Sequence, residues 1–310
     1  MAEYSKKPKV IAVVGPTASG KTSLGVYLAK RFNGEVVSCD SMQVYNNMPI
    51  ASAAPTKEET QSVPHHLVGF CDPSANFSVA KYVELAQLEI DDILSRGKLP
   101  ILVGGTGLYI DSLLSGTRFS EEDSSEIRQK LEQEAEQIGY QAMLEKLREI
   151  DPETAAKYHP NDRKRIIRAL EIFELHGKTK TEMDKESRLS GGLYDVLWIG
   201  ITYKNRELLY DRINRRVDIM LENGVLNEAR TAFLNSRGIT SVQAIGHKEF
   251  FPFFEGRVSL EEAVESLKME TRRYAKRQLT WFRRNKNIHW IYADETPNVG
   301  EIAESIIKEN

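Results

Sequence analysis

The sequence predicts an α/β fold in which a doubly wound parallel sheet forms the core and an all-helical domain is inserted between two strands. Three observations support this prediction. Continuous apolar runs alternate with helical patterns, a glycine-rich loop follows the first run, and the third and fourth runs lie too far apart for a single crossover. Strands that are buried on both faces give continuous apolar runs, and their alternation with helices is typical of a parallel α/β core.

Apolar, β-rich runs predict the strands of this sheet. They are Val10–Val14, Val36–Cys39, Ile101–Val103, Val196–Ile201 and Ile288–Tyr292. A helix is predicted at Lys21–Phe32, after the first strand and the glycine-rich loop. Another is predicted at Phe77–Arg96, with Gly97 as the glycine that ends it.

The long gap between the third and fourth strands predicts the domain boundaries. Residues 1–119 and 193–310 are predicted to form the core domain, and residues 120–192 the helical insertion. Asp162 is a candidate cap for an inserted helix that ends at Gly177, and the polar segment Lys178–Gly192 predicts a loop. After the fourth strand, Asn205 is expected to cap a helix that ends at Gly224.

Charge is sorted into regions along the chain. The 310 residues include 42 Lys and Arg and 45 Asp and Glu, and the net charge of −3 argues weakly against nucleic-acid binding. Lys268–Lys286, however, holds eight basic residues and one acidic residue, whereas Glu121–Glu153 holds eleven acidic and four basic. Cys39 and Cys71 predict neither a disulfide framework nor a metal site. Without a signal-like start or a membrane-length apolar run, we expect a cytoplasmic protein that has no membrane partner. Separately, we expect a monomer.

Residues Gly15–Thr22, GPTASGKT, match the phosphate-binding pattern G-x-x-x-x-G-K-[ST] between a predicted strand and a predicted helix. The glycines of such a loop let backbone N–H groups converge on an anion at a helix N-terminus. Lys21 would add charge for the terminal phosphate oxygens, and the hydroxyl of Thr22 could ligate Mg²⁺. The predicted diphosphate- or nucleotide-binding residues of the loop are Gly15, Pro16, Thr17, Ala18, Ser19, Gly20, Lys21 and Thr22.

Two further strand ends carry candidate site residues. ATPases and GTPases usually bear an acid at the end of another strand, but here the third and fourth strands end without one. Asp40 follows the second strand, at the edge where open α/β sheets bind ligands, and its carboxylate could accept a proton, hold Mg²⁺ or cap the next turn. Gly104–Gly107 follow the third strand and include Thr106. These glycines either allow close backbone approach or form a left-handed turn without a ligand.

The predicted helix Leu260–Arg284 combines an apolar stripe with a basic face. That face contains Arg273, Lys276, Arg277, Thr280 and Arg284, with Tyr274, Trp281 and Phe282 interleaved. Basic and aromatic side chains together suit a nucleic-acid backbone and unstacked bases, although most charge runs are solvated faces. Gln278 interrupts the apolar stripe, which favours a functional interpretation.

Smaller polar clusters complete the set of candidates. The inserted helix bears a second basic cluster of Arg163, Lys164, Arg165 and Arg168. Arg212 and Arg216 are spaced i, i+4, so they share one helix face and could either clamp phosphate or pair with neighbouring acids. His65–His66 lacks a third ligand at metal spacing and predicts a loop. His247 has no partner that the sequence identifies.

Seven motifs in a fixed order resemble those of the tRNA dimethylallyltransferases, also called tRNA isopentenyltransferases, and the match runs from about residue 10 to residue 292. The motifs are GPTASGKT, DSMQVY, GGTGLY, RIIRALEI, RINRRVDIMLENG, QAIGHKE and YAKRQLTWFRR. The first is shared with kinases, whereas the ordered set is much more specific. The resemblance implies a P-loop NTPase-like core with an inserted helical domain. It also implies transfer of a dimethylallyl group from dimethylallyl diphosphate to N6 of the adenosine 3′ to the tRNA anticodon.

The resemblance also implies roles for individual residues. Asp40 matches the general base for the N6 proton, and Thr106 a hydroxyl near the flipped base. Lys21, Thr22 with Mg²⁺, Arg216 and Arg212 would stabilise the diphosphate charge. The residues that match contacts with the tRNA anticodon stem-loop are Asp40, Ser41, Met42, Gln43, Thr106, Arg128, Lys164, Arg165, Ile166, Ile167, Arg168, Gln243, Gly246, His247, Lys248, Lys276, Arg277, Gln278, Thr280, Trp281 and Arg283.

The sequence departs from the family pattern at two points. His247 stands where tyrosine is common, which leaves its role open. Two separated cysteines could not build the zinc finger of eukaryotic relatives, so we expect a bacterial-type enzyme.

Three alternatives compete with this function. A small-molecule kinase would also combine a P-loop with an acid after the second strand, but it needs neither the insertion nor the basic helix. An RNA-binding protein switched by nucleotide would bind RNA without forming a covalent product. An enzyme that prenylates free adenine nucleotides would have no use for basic surfaces directed at RNA.

Overall fold

The computed structural model describes residues 7–75, 77–117, 125–189, 192–235, 241 and 244–310. Contacts within the chain divide it into two units. The core unit comprises Met1–Leu114 and Leu193–Asn310, and the helical unit comprises Ser115–Gly192. Within the described ranges, no helix is both long and apolar enough to cross a membrane.

One sheet of parallel strands organises the core unit. The strands are β1 (Lys9–Val14), β2 (Gly34–Ser38), β3 (His65–His66), β4 (Leu99–Gly104), β5 (Asp195–Thr202) and β6 (His289–Tyr292). Their order is β3-β2-β4-β1-β5-β6, and every neighbouring pair is parallel. Val14 of β1 lies beside both Gly104 and Gly200, so the loops after β1, β4 and β5 leave the sheet at one edge. The predicted parallel α/β sheet is thereby confirmed.

The short edge strand β3 was not predicted. His65–His66 was expected to be a loop, and this prediction is wrong, because the two residues pair with Val36 and Val37 of β2. A strand of two residues is too short to give an apolar run, so the sequence pattern carries no signal for it.

Helices connect the strands and build the helical unit. Before the insertion, the core unit contains α1 (Lys21–Arg31), α2 (Lys57–Thr60), α3 (Val79–Ser95) and α4 (Gly107–Leu114). The helical unit contains α5 (Ser125–Ile150), α6 (Pro152–Ala155), α7 (Arg163–His176) and α8 (Lys180–Leu189). The core unit then continues with α9 (Arg206–Glu222), α10 (Val225–Asn235), α11 (Phe251–Phe254), α12 (Leu260–Phe282) and α13 (Val299–Glu309).

Side-chain caps explain where the main core helices begin and end. The predicted cap Asn205 accepts the N–H of Glu207 at 3.0 Å at the start of α9. The first turn of α12 has a reciprocal capping box between Ser259 and Glu262. Gly97 follows α3 with φ 68°, as its predicted role requires.

Apolar packing against one face of the sheet holds the strand ends in place. Val13 of β1, Leu28 of α1 and Ile101 of β4 are fully buried in one cluster. Ala303 of α13 joins the same cluster. Full burial of a side chain such as Leu28 contributes about 1.5–3 kcal/mol, so this layer is a rigid base for the loops at the sheet edge.

The helical unit has its own core and a helix that was not predicted. Helix α5 kinks at Gly139, where φ is 83°, and α7 ends at Gly177 as predicted. The predicted loop Lys178–Gly192 is wrong for its first part, because Lys180–Leu189 forms α8. Apart from Met183 and Leu189 this segment is polar, so it has no apolar period that would mark a helix. A capping box of Thr179 and Glu182, whose backbone N–H groups are bound at 2.7 and 3.1 Å, marks its start.

Candidate active site

The P-loop, residues Gly15–Thr22, connects β1 to α1 and contacts the end of β5. Gly15 has a φ of 148°, and a Cβ atom there would lie 2.2 Å from the carbonyl oxygen of Ile201. Gly20 has a φ of 101° and immediately precedes α1. Both positions therefore require glycine, and the loop leads into a helix N-terminus, where anions bind.

Two basic side chains are anchored to carbonyl groups of the P-loop. Lys21 Nζ donates to the carbonyl oxygen of Pro16 at 2.7 Å, and Arg212 Nε donates to that of Ala18 at 3.0 Å. Arg216 lies one turn further along α9, where its charge acts on both Lys21 and Asp40. The arginine pair predicted from i, i+4 spacing therefore faces the phosphate-binding loop.

Asp40 uses one carboxylate oxygen for structure and leaves the other available. Oδ1 accepts the backbone N–H groups of Met42 at 2.9 Å and Gln43 at 3.4 Å, which caps the turn after β2. Within the described ranges, Oδ2 accepts no hydrogen bond. The capping and proton-accepting interpretations of Asp40 are therefore compatible, because they use different oxygens.

Burial shifts the protonation of the charged groups around Asp40. Burial lowers the pKa of Lys21 to about 7, an effect that Arg216 reinforces and Asp40 opposes. Burial also raises the pKa of Asp40, against the hydrogen bond from Met42 and the charge of Lys21. It lowers the pKa of Arg216. A carboxylate with a raised pKa is a better proton acceptor at neutral pH than an ordinary aspartate.

Thr106 joins the loops that follow β2 and β4. Its N–H donates to the carbonyl oxygen of Cys39 at 3.2 Å, and its Oγ1 accepts the N–H of Ser41 at 3.0 Å. None of Gly104, Gly105 and Gly107 has a positive φ, so the left-handed turn offered as an alternative is wrong. Instead, glycine at these positions lets neighbouring groups approach the backbone closely. A Cβ on Gly104, for example, would lie 2.1 Å from the carbonyl oxygen of Cys39.

Gln278 links the P-loop to the loop after β4. Its Oε1 accepts the N–H of Thr17 at 2.8 Å, and its Nε2 donates to the carbonyl oxygen of Gly105 at 3.0 Å. The side chain is buried, and a Cβ on Gly105 would lie 2.0 Å from Nε2. The polar residue that interrupts the apolar stripe of α12 therefore holds two loops of the site together.

These loops surround a cavity of about 440 Å³ within the core unit. Its basic and polar lining includes Thr17, Lys21, Thr22, Asp40, Ser41, Gln43, Arg212, Arg216, Lys248, Arg277 and Gln278. Its apolar lining includes Met42, Ala51, Val103, Val217, Met220, Ala244, Ile245 and Leu267. A ligand with an anionic head and a short apolar tail matches both parts of this lining.

Sequence reasoning missed the apolar part of the cavity. Met220 lies at i+4 from Arg216, so continuing the spacing that selected the arginines would have found it. Tyr274 was noted only for the basic face of α12, but its ring lines the cavity beside Arg277, whose guanidinium lies 5.7 Å from the ring centroid. Ala51 comes from a loop whose sequence carries no comparable signal, and Ile245 lies in the motif QAIGHKE but was not singled out.

The remaining predicted residues of α12 lie on its exposed side or in its packing. Lys276, Thr280 and Arg283 are exposed. Trp281 Nε1 donates to Asp111 at 2.7 Å. Phe282 was expected to be interleaved with the basic face, and this is wrong, because it is 1% exposed and packs inward.

Three predicted positions before α11 have different outcomes. His247 is buried and pairs with Glu228 through Nε2 at 2.9 Å, a partner that the sequence did not identify. Gly246 has a φ of 107°. Gln243 lies outside the described residues.

The helical unit places its predicted residues on an exposed surface and in its core. Lys164 and Arg165 are exposed on α7. Arg128 and Arg168 both donate to the buried carboxylate of Glu171, at 2.9 and 2.6 Å. Ile166 and Ile167 are 0% and 4% exposed, so their side chains pack in the core of the unit. The neighbouring side chains of Lys164 and Arg165 face outward instead.

Comparisons with known proteins agree with the geometry of the core unit. The family described as IPP transferase matches residues 43–285, and the family described as isopentenyl transferase matches residues 8–69. A tRNA dimethylallyltransferase of Caldanaerobacter subterraneus is 49% identical over 97% of this chain and 96% of its own. The solved tRNA isopentenylpyrophosphate transferase of Bacillus halodurans is 45% identical, with a TM-score of 0.70 and 98% of both chains covered. A eukaryotic dimethylallyltransferase solved acting on tRNA is 32% identical, with a TM-score of 0.84 over 96% of this chain and 78% of its own.

Proposed function

The chain belongs to the IPP transferase family, and from this premise we propose that it is a tRNA dimethylallyltransferase. It transfers a dimethylallyl group from dimethylallyl diphosphate to N6 of the adenosine 3′ to the tRNA anticodon, adenosine-37. The products are N6-(dimethylallyl)adenosine and diphosphate. The observation that carries this proposal is one cavity that combines a P-loop, an available carboxylate oxygen on Asp40 and an apolar wall.

The P-loop side of the cavity suits the diphosphate of the donor. Backbone N–H groups between Gly15 and Thr22 would bind its oxygens, as at other helix N-termini. Lys21, Arg212 and Arg216 supply positive charge, and the hydrogen bonds of Lys21 and Arg212 to loop carbonyls hold that charge in position. Charge that is fixed before the reaction stabilises the leaving diphosphate without reorganisation.

Proton transfer is assigned to Asp40. The N6 nitrogen forms a bond to C1 of the dimethylallyl group while the C1–O bond breaks, and the bonding electrons leave with diphosphate. The proton released from N6 goes to Asp40 Oδ2, since Oδ1 is occupied by the N–H groups of Met42 and Gln43. Burial raises the pKa of this carboxyl, which favours its role as acceptor.

Mg²⁺ is the proposed cofactor, held between the protein and the donor. No cluster of three or more His, Cys, Asp or Glu residues that could hold a metal occurs among the described residues. Thr22 of the P-loop lines the cavity, so its hydroxyl would hold the ion, and diphosphate oxygens would supply further ligands, as is common for Mg²⁺. When bound, it would neutralise charge on the diphosphate.

The acceptor RNA is assigned to basic surfaces on both units. In the core unit, Lys248 and Arg277 line the cavity, and Lys276 and Arg283 are exposed on or beside α12. In the helical unit, Lys164 is exposed on α7. Basic side chains of this kind bind RNA phosphates, and the target base must leave its stack to reach Asp40, which requires a few kcal/mol.

The proposal is tested with unmodified tRNA, dimethylallyl diphosphate, Mg²⁺ and the full-length chain. Nucleosides from the product are analysed by mass spectrometry, and a parallel reaction contains ATP in place of the prenyl donor. We expect prenylated adenosine beside the anticodon. Phosphate transfer from ATP to a small metabolite without any prenylation would instead support a kinase. Equal prenylation of a free adenine nucleotide would contradict the assigned acceptor.

A further inference from the structure

Glu228 of α10 is a buried carboxylate that is bound by three N–H donors. Its Oε2 accepts the backbone N–H of Ile50 at 3.0 Å, and its Oε1 accepts that of Ala51 at 2.9 Å. The same Oε1 accepts Nε2 of His247 at 2.9 Å. The side chains of Glu228 and His247 are only 9% and 3% exposed, so this is a built contact rather than a surface ion pair.

The segments that Glu228 joins both form walls of the cavity. One segment contributes Ala51, Ser52 and Ala53, and the other contributes Ala244 and Ile245. They touch at Gly246, where an added Cβ would lie 3.0 Å from the Cβ of Ala51. The Glu228–His247 pair therefore fixes the distance between two walls of the cavity whose segments are far apart in the sequence.

Helix α9 locates this contact at the apolar end of the cavity. Arg212 binds a P-loop carbonyl, Arg216 follows one turn later, and Met220 follows one turn after that. Eight residues of α-helix span about 12 Å, so Met220 lies well away from the P-loop. The Cε of Met220 is 3.5 Å from the position of an added Cβ on Gly246. The Glu228–His247 pair thus supports the wall that is remote from the diphosphate.

We propose that the Glu228–His247 pair is a positioning unit that shapes the apolar wall for the five-carbon chain of the donor. This inference rests on the proposed function. Neither side chain lines the cavity, so the pair acts through Ala51 and Ile245. It contributes to affinity for the prenyl part of the ligand and leaves the affinity for the diphosphate part unchanged.

Calorimetry on the full-length chain tests the proposal with two ligands, dimethylallyl diphosphate and inorganic diphosphate. Glu228→Gln keeps the side-chain volume but replaces one carboxylate oxygen with an NH2 group, which then faces at least one of the three N–H donors. We expect its Kd for dimethylallyl diphosphate to rise about tenfold, corresponding to about 1.4 kcal/mol, while its Kd for diphosphate changes less than about twofold. His247→Leu should raise the Kd for dimethylallyl diphosphate several-fold, and His247→Gln, which restores a donor, should recover it.

Glu35→Gln is the matched control, because Glu35 is another buried carboxylate with several cationic partners but lies away from the cavity. It should lower the melting temperature without changing the ratio of the two Kd values. An unchanged ratio in both Glu228→Gln and His247→Leu would overturn the positioning role. Absence of any dimethylallyl diphosphate binding by the unmodified chain would instead overturn the proposed function.

Discussion

The two ends of strand β2 each present an acidic side chain, and the two residues are held in opposite ways. Glu35, near the start of the strand, accepts Arg96 at 2.7 Å, Lys98 at 2.6 Å and His66 at 2.8 Å. Asp40, just past the end of the strand, accepts two backbone N–H groups through one oxygen and, in the described part of the chain, no side-chain donor. Hydrogen bonds from Arg96, Lys98 and His66 hold the pKa of Glu35 far below its usual range, whereas burial raises the pKa of Asp40.

This difference separates a structural carboxylate from a reactive one. Each oxygen of Glu35 is bound by cationic donors, so its charge is neutralised and it has no capacity left for a ligand. Asp40 is fixed in orientation by Oδ1 and keeps Oδ2 for another partner. Being buried does not distinguish a catalytic carboxylate from a structural one, but the number of occupied acceptor sites does.

Removing the free carboxylate oxygen should have the largest effect. Asp40→Asn retains an oxygen that can accept the N–H of Met42, so the turn should persist. We expect single-turnover prenylation to slow by about 10²-fold or more, as loss of a general base does, while tRNA affinity stays nearly intact. Measuring the rate with saturating donor and the Kd for tRNA separates the two effects. Unchanged turnover would show that Asp40 has only its capping role.

Removing the charge of the carboxylate at the other end of β2 should lower the stability of the protein and leave its turnover unchanged. Glu35→Gln breaks charge-assisted hydrogen bonds and should lower the free energy of unfolding at pH 7 by about 2 kcal/mol. Because folding lowers the pKa of Glu35, this stabilisation is present above the unfolded-state pKa of roughly 4.3 and is lost as pH falls. Urea unfolding at pH 7 and pH 3 should therefore show a difference that shrinks in acid. A constant difference would mean that packing dominates.

Lys21 is a buried lysine of the same site, and burial shifts its pKa as it shifts that of Asp40. Its pKa, which burial lowers to about 7, implies that the free site loses a positive charge as pH rises through neutrality. The Kd for dimethylallyl diphosphate should therefore rise by up to about 25-fold between pH 6.5 and 8.5, which is the ratio of the protonated fractions of Lys21 at the two pH values. Lys21→Met has no such group but binds the same ligand, so its Kd should follow only the ligand's own titration. Parallel pH profiles for both proteins would contradict the assignment.

The fold was largely predictable because its signals are local. Buried parallel strands leave apolar runs, and Ser78, Asn205 and Gly97 mark helix ends by their own chemistry. Two of the elements that were missed carry no such signal. Strand β3 is held by a register with β2, and α8 has a polar sequence and was predicted to be a loop.

The residues of the candidate site also divide into those that a local sequence signal predicts and those that depend on tertiary contacts. The P-loop was predictable because spacing alone encodes the backbone geometry, and Asp40 because it ends a strand. For Gln278, the sequence showed only that a polar residue interrupts the apolar stripe of α12. It did not show what the side chain binds, because its partners Thr17 and Gly105 are far away in sequence. The Glu228–His247 pair could not be predicted, because a buried hydrogen bond between separate segments depends on tertiary packing.

The smallest predicted effect concerns Arg277, which is exposed and therefore contrasts with the buried charges of β2 and the P-loop. Its guanidinium lies over the ring of Tyr274 and lines the cavity, so it can meet RNA phosphate without a desolvation cost. Arg277→Ala should weaken tRNA binding a few-fold and reduce the slope of log K against log salt concentration by about 1. Catalysis at saturating tRNA should be unaffected, because Arg277 holds neither the P-loop nor Asp40.

Lys286→Ala, which removes an exposed charge outside the cavity lining, is the control. An equal salt slope in Arg277→Ala and the unmodified chain would make Arg277 a solvated surface charge, and would restrict RNA binding to the other basic side chains.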